Sequence, residues 1–288
     1  MSEPSAKQTL SFLRNRFHEV GIRPHQKLGQ NFLIDMNLQR VLLETAALGP
    51  ADVVLEVGTG TGGLTMLIAP QVAAVVTVEV DRDLFHLAGE ELFELPNVTM
   101  LHADALAGKN HLNAAMLEAV YGQLDAAPGR HFKLLANLPY SIATPLLGNL
   151  LALDRPPESM TCTLQKELGD RITARPSTKG YGALAIWVQS QCRPQIVRVL
   201  APTVFWPRPK VSSVFMQIVL APQLRSRIGD RDGFHDFLRV IFRHRRKFLR
   251  SCLLSGWKDR FDKPGVDRLM QHLGLDGTTR AEQLDPDR

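Results

Sequence analysis

Apolar and polar positions along the chain fall into two alternating rhythms. Residues 7–20 place Leu10, Leu13, Phe17 and Val20 at helical spacing, and Gly21 stands where such a helix would stop. Residues 23–35 show no clean period, and 37–48 return to an amphipathic helical pattern. Short apolar runs then recur at Val53–Val57, Val75–Val80, Val98–His102, Phe132–Ala136 and Met160–Gln165. Each has the length of a strand, and helical patterns such as 64–69 and 184–192 lie between or after them. Strands alternating with helices predict a doubly wound, mainly parallel sheet with right-handed crossovers. The rhythm changes at 195–200 and 211–220, two strands with no helix between them, which predicts an antiparallel pair at the end of the sheet.

Beyond residue 221 the pattern is helical, so the chain is divided into an α/β domain over 1–221 and a small all-helical domain over 222–288. Ala221 to Arg227 reads as a linker, and 234–253 as helical, with apolar residues 234, 237, 238, 241, 242, 248 and 249 on one face and either a kink near residue 244 or a buried partner for Arg245 to account for the one basic residue that falls there. On that wheel Arg239, Arg243, Arg246 and Arg250 form a basic stripe on the opposite face, while Arg245 falls inside the apolar one. The overall charge of +5, from 34 Lys and Arg against 29 Asp and Glu, takes its meaning from that clustering.

Composition narrows the classes. A hydrophobic share of 44% is that of a globular protein with a sizeable core. No apolar run reaches the roughly 18–20 residues of a membrane span, and residues 1–10 lack a secretory signal, so a cytoplasmic protein is expected. Cys162, Cys192 and Cys252 are isolated, which argues against a zinc site or a disulfide framework. The expectation is a monomer with no metal site and no membrane partner.

Candidate chemistry collects at strand ends. Gly58, Gly60 and Gly63 follow the first strand of the α/β run with the spacing G-x-G-x-x-G, and Glu79 ends the next strand 21 residues after Gly58. This spacing suits a nicotinamide dinucleotide and equally S-adenosylmethionine, because both carry an adenosine ribose that a carboxylate can grip. Asp104, after the third strand, favours S-adenosylmethionine, since an acceptor there can hold an adenine amino group. Asn137-Leu138-Pro139-Tyr140 closes the strand that begins near Phe132. An amide, a stiff turn and an aromatic ring at the carboxyl end of a parallel strand suit a planar substrate with an exocyclic amine, such as an adenine.

Seven motifs in order carry a specific resemblance: Lys27-Leu-Gly-Gln-Asn-Phe-Leu-Ile-Asp35, Glu56-Val-Gly-Thr-Gly60, Asn137-Leu-Pro-Tyr140, Leu164-Gln-Lys-Glu167, Lys179-Gly-Tyr-Gly182, the region Phe205 to Ser213 with Pro207, Pro209 and Lys210, and Arg245-Arg-Lys247. Together they closely resemble the rRNA adenine N6,N6-dimethyltransferase family, in its branch acting on small-subunit (16S) rRNA. The resemblance implies a class I methyltransferase sheet, S-adenosylmethionine as cofactor, and dimethylation of two adjacent adenosines in the 3'-terminal hairpin loop during ribosome biogenesis. It implies that Asn31 and Leu33 contact the donor, that Gly58 lies against its methionine part, that Glu79 binds its ribose, and that Asp104 binds its adenine. Asn137 would touch donor and target amine, with the Leu138 carbonyl as a second acceptor, Pro139 stiffening the turn and Tyr140 stacking on the base. For Phe205 two roles are open, covering the other face of that base or packing in the core. Lys210 and the stripe Arg239, Arg243, Arg246 and Arg250 would meet small-subunit rRNA within a pre-ribosomal particle.

This chain departs from the family pattern at Thr59, where Pro is common, and at Ala185, where Ser is common. It also ends at Arg288, soon after Arg280–Leu284, where relatives continue into a final helix. Two other expectations stand beside the main one: a large-subunit rRNA adenine methyltransferase of the resistance type, and a non-catalytic assembly factor on the same fold.

Overall fold

The computed structural model describes residues 9–25, 28–109, 111–243, 247–257 and 261–286. In chain order its elements are α1 (Leu10–Glu19), β1 (Phe32–Leu33), α2 (Met36–Ala46), β2 (Asp52–Val57), α3 (Gly63–Ile68), β3 (Ala74–Glu79), α4 (Arg82–Leu92) and β4 (Val98–His102). The hairpin β5 (Leu106–Gly108) and β6 (His111–Leu112) follows, then α5 (Ala114–Asp125), β7 (His131–Asn137), α6 (Ala143–Ala152), β8 (Ser159–Gln165), α7 (Lys166–Ile172) and α8 (Ala183–Gln189). The chain continues with β9 (Cys192–Leu200), β10 (Phe205–Trp206), β11 (Ser213–Leu220), α9 (Pro222–Arg225), α10 (Arg231–Phe242), α11 (Leu249–Gly256) and α12 (Lys263–His272).

Seven strands form one sheet in the order β4-β3-β2-β7-β8-β11-β9. The first five pair in parallel, and β11 runs antiparallel to β8. All six residues of β2 and of β3 are buried, including the polar Asp52, Glu56, Thr77 and Glu79, because both faces of these parallel strands are covered. Helices enter with side-chain caps: Asp35 accepts from the N–H groups of Asn37 and Leu38, and Asp81 from those of Asp83 and Leu84.

The chain divides into two compact units. One contains residues 1–169 and 195–220, with nearly the whole sheet; the other contains 170–194 and 221–288. Compactness therefore groups 170–194, which the sequence pattern assigns to the α/β domain, with the C-terminal helices. In that second unit the buried Trp187 of α8 lies 4.7 Å from the ring of His235 and 6.2 Å from that of Phe234, both on α10. Tyr181 is fully buried and its hydroxyl donates to the Leu284 carbonyl at 2.7 Å.

Three elements differ from the sequence expectation. The helix expected over 184–192 ends at Gln189, and β9 starts at Cys192. Pro194 disfavours helix in the residue before it and is tolerated in β9 because that strand is at the sheet edge. The helical stretch over 234–253, for which a kink near residue 244 is one of two expectations, is two separate helices: α10 ends at Phe242, and α11 starts at Leu249 after an extended Phe248 (φ −63°, ψ 142°). Phe248 bridges to Arg280, and the Leu249 N–H donates to the Thr279 carbonyl at 2.8 Å, so contacts from distant residues take over where the helix stops. The stripe is therefore not one helical face. The expected linker holds the short α9, with Pro222 in its first turn.

Candidate active site

The loop between β2 and α3 is built for close approach. Gly58 and Gly60 have φ of +86° and +59°, in the left-handed region that favours glycine. A Cβ at Gly58 would stand 3.4 Å from Pro139 Cδ, and one at Gly60 only 3.1 Å from Phe32 Cε1. The Gly58 N–H donates to the Val78 carbonyl at 2.8 Å, which folds the loop back over the end of β3.

Glu79 ends β3 inside this fold and is 4% exposed. Its Oε2 accepts the Gly60 N–H and its Oε1 the Asp81 N–H, each at 2.9 Å. Burial pushes its carboxyl above the ordinary range, while these backbone hydrogen bonds oppose the shift. Asp81 is a second organiser. Its Oδ1 caps α4, and its Oδ2 accepts from Gln30 Nε2 at 2.8 Å, which ties the segment before β1 to the start of α4.

That segment also reaches the end of β7. Asn137 Nδ2 donates to the Asn31 carbonyl at 2.7 Å, which leaves Oδ1 as the acceptor of the amide. Gly29, at φ +70°, lets the backbone pass so close to the Asn137–Tyr140 turn that a Cβ there would be 3.5 Å from the Tyr140 nitrogen. The Tyr140 hydroxyl is 2.5 Å from Ser213 Oγ, at the first residue of β11. Burial pushes the Tyr140 phenol up, and the Ser213 hydrogen bond opposes the shift. The ring is thus anchored by the antiparallel strand.

One cavity at the carboxyl ends of the parallel strands is lined by Asn31, Leu33, Gly58, Glu79, Asp104, Asn137, Leu138, Pro139 and Tyr140. All the positions expected at the donor and target amine come together there. Their exposures differ. Asp104 is exposed, and its Oδ1 accepts the Leu106 N–H at 2.9 Å. Leu138 is 2% exposed, so its side chain belongs to the core. Leu33 is 5% exposed and packs in a core cluster with Leu38, Leu42 and Phe205.

For Phe205 the structure selects the core role. At 3% exposure, in β10 and paired with Leu33 of β1, its ring is committed to that core cluster and has no free face for a base. Sequence reasoning missed Val80, which lines the cavity at 46% exposure and offers an apolar surface between Glu79 and Asp104. Its only signal is its place directly after the acid. Asp81 was also not singled out, and the partners of Gln30 and Ser213 could not be named, because each acts through a contact distant in sequence.

The basic candidates are more scattered. Lys210 is exposed in the 207–212 segment. On α10, Arg239 NH1 lies 3.7 Å from Asp236, and Arg243 is the exposed C-cap. Arg250 on α11 is held by Asp267 of α12 through two hydrogen bonds of 2.5 and 2.9 Å. Arg246, Arg245 and Lys27 lie outside the described residues.

A parallel sheet with an antiparallel strand between its last two members, a glycine loop after one strand and an acid at the end of the next define a class I, S-adenosylmethionine-dependent methyltransferase. Two solved structures share the fold. A dimethyladenosine transferase from Plasmodium falciparum matches with a TM-score of 0.71 at 22% identity, over 88% of this chain and 92% of its own. The 23S rRNA methyltransferase ErmE matches with a TM-score of 0.61 at 23% identity, over 89% and 95%. Residues 21–285 match the family described as Ribosomal RNA adenine dimethylase. Ribosomal RNA small subunit methyltransferase A of Moorella thermoacetica is 35% identical over 278 residues, 96% of this chain and 92% of that protein. Its namesake from Clostridium botulinum is 35% identical over 260 residues, 90% and 89%. The chain belongs to the ribosomal RNA adenine dimethylase family, and it is an S-adenosylmethionine-dependent rRNA adenine dimethyltransferase. The dinucleotide alternative left open by the glycine spacing is thereby set aside.

Proposed function

We propose that the protein dimethylates N6 of two adjacent adenosines in the 3'-terminal hairpin loop of small-subunit (16S) rRNA, within a pre-ribosomal small subunit. The observation that carries the chemistry is the Asn137 amide, whose NH2 is committed to the Asn31 carbonyl while its oxygen remains an acceptor at the cavity. The names of the curated relatives support the small-subunit substrate.

The cavity fits the donor by its own chemistry. The glycine loop is a cradle that any Cβ at Gly58 or Gly60 would crowd, Glu79 is a fixed carboxyl, and Asp104 is an exposed acceptor. Asn31 and Leu33 would close over the donor, Gly58 would meet its methionine part, Glu79 its ribose and Asp104 its adenine. S-adenosylmethionine, when bound, supplies an electrophilic methyl group.

Asn137 Oδ1 and the Leu138 carbonyl accept hydrogen bonds from the target amine and favour a more tetrahedral nitrogen, whose lone pair then points at the methyl carbon. That nitrogen would take the methyl group that the bound donor supplies, the donor's sulfur leaving as the thioether, and the displaced N6 proton would pass to water. No strong base is required. Orientation is the main term, and well-oriented reactions gain on the order of 7–11 kcal/mol in this way. Tyr140 holds the extruded base by stacking, worth roughly 1–3 kcal/mol, with Pro139 keeping the turn stiff.

RNA contacts are assigned to Lys210, Arg239, Arg243, Arg246 and Arg250, with the unit of 170–194 and 221–288 as the RNA-binding domain. The protein works as a cytoplasmic monomer. Tritiated methyl transfer onto undermethylated small subunits, with the modified base identified, tests the proposal. N6,N6-dimethyladenosine at two neighbouring positions is expected. Label in large-subunit RNA instead would overturn the substrate, and no label would overturn the activity.

A further inference from the structure

A buried run of hydroxyls lies beneath the glycine loop and takes no part in the chemistry above. Thr59 Oγ1 is 2.7 Å from Thr77 Oγ1, and the Thr77 hydroxyl donates to Glu56 Oε2 at 3.0 Å. The Thr65 hydroxyl donates to the same oxygen. Thr59 is 4% exposed, Glu56 1%, and Thr65 and Thr77 are fully buried. Because the Thr77 proton goes to Glu56, the proton between the two threonines belongs to Thr59. The direction is therefore set: Thr59 donates to Thr77, and Thr77 donates to Glu56.

The run begins at the residue between the left-handed Gly58 and Gly60. Glycine adopts many conformations at little steric cost, so a loop rich in it holds a single shape only when something else restrains it. The backbone at Thr59 is held by its own N–H, which reaches the Val78 carbonyl at 3.3 Å, and by its carbonyl, which accepts the Gly62 N–H at 3.0 Å. A hydroxyl anchored to β3 and, through it, to β2 restrains the same residue by a different device.

We propose that Thr59 is a positioning residue for the methyl donor, its hydroxyl fixing the glycine loop through Thr77 to Glu56. This rests on the reading that the donor lies against that loop. Glu56 is fitted to the end of such a relay. Burial pushes its carboxyl up to about 8, the Thr65 and Thr77 hydrogen bonds oppose the shift, and the charge of Glu79 adds to it. At neutral pH Glu56 keeps its proton, and Oε2, which accepts two hydroxyls, is its carbonyl oxygen. Among the surrounding elements, Glu79 of β3 is the one titratable group acting on it, while Thr65 of α3, Gln39 of α2, Asn137 of β7 and the 28–33 segment's Gln30 and Asn31 are uncharged. Ionisation above about pH 8 puts a carboxylate beside Glu79 and disturbs the end that holds the loop.

The test is calorimetric titration of the full chain with S-adenosylmethionine between pH 6.5 and 9, beside steady-state kinetics. Thr59→Val, which keeps shape and the backbone N–H, is expected to weaken donor binding about tenfold, the size of one buried hydrogen bond, with kcat at saturating donor within about twofold. Thr59→Ser restores binding. Donor affinity of the unaltered protein falls above about pH 8, and Glu56→Gln, which keeps an acceptor oxygen, preserves neutral-pH affinity and abolishes that fall. Unchanged binding in Thr59→Val, failure of Ser to restore it, or an alkaline fall that survives Glu56→Gln would overturn the relay. Absence of donor binding by the unaltered protein would instead overturn the reading of the cavity on which it rests.

Discussion

Asn137 Nδ2 donates a 2.7 Å hydrogen bond to the carbonyl of Asn31, 106 residues earlier in the chain. The bond orients the amide, because an NH2 committed on one side leaves the oxygen toward the other. It also joins the segment that precedes the sheet to the end of β7, so the proposed acceptor of the target amine is aligned by the segment proposed to close on the donor.

Asn137→Ala removes both functions. Methyl transfer is expected to fall by at least about a hundredfold in kcat, the scale of losing one aligned polar group at a reacting centre. RNA affinity in a filter-binding assay should change less than twofold. Asn137→Asp should also fail, since a carboxylate has no proton to give the Asn31 carbonyl.

Gly60→Ala tests the cradle. A side chain at φ +59° is strained by roughly 1–2 kcal/mol, and its Cβ would stand 3.1 Å from Phe32 Cε1. The expected outcome is a modest loss of thermal stability with a larger loss of the thermal shift given by S-adenosylmethionine. A full ligand shift in this variant would mean the donor does not approach the loop.

Glu56 predicts a pH dependence of stability. Its carboxyl titrates near 4.5 when unfolded and near 8 when folded, so folding takes up a proton between those values. The contribution is full below pH 4.5 and is lost as pH rises toward 8. Glu56→Gln should flatten this part of the stability curve and gain on the order of a few kcal/mol at pH 8 relative to pH 5, as measured by urea unfolding.

The basic residues separate by their partners. Replacing Lys210 and Arg243 together should lower the salt slope of RNA affinity by about 0.7 to 0.9 per cation removed. Arg250→Gln should lower it less, because Asp267 already neutralises that guanidinium. Equal effects at all three positions would show that Asp267 releases Arg250 to the RNA.

Runs such as Val53–Val57 and Val75–Val78 announce their strands because both faces are buried, which leaves an apolar signature interrupted only by Glu56 and Thr77. The glycine loop, Glu79, Asp104 and Asn137–Tyr140 were legible for a related reason: parallel strands deliver their carboxyl ends to one side of the sheet, so residues just past each apolar run must gather there. What pairs across the chain leaves no such mark. The two-residue strands Phe32–Leu33 and Phe205–Trp206 are too short for a period, yet their pairing commits Phe205 to the core and takes it from the base. The break between Phe242 and Leu249 shows on a helical wheel only as Arg245 falling among apolar residues, because residues 279 and 280, which hold the chain that leaves the helix, are distant in sequence. Ser213 beneath Tyr140, Gln30 on Asp81 and Thr77 between Thr59 and Glu56 are likewise decided by tertiary structure alone. Local sequence records how deeply a residue is buried, whereas the partner of a polar group is chosen only when distant segments meet.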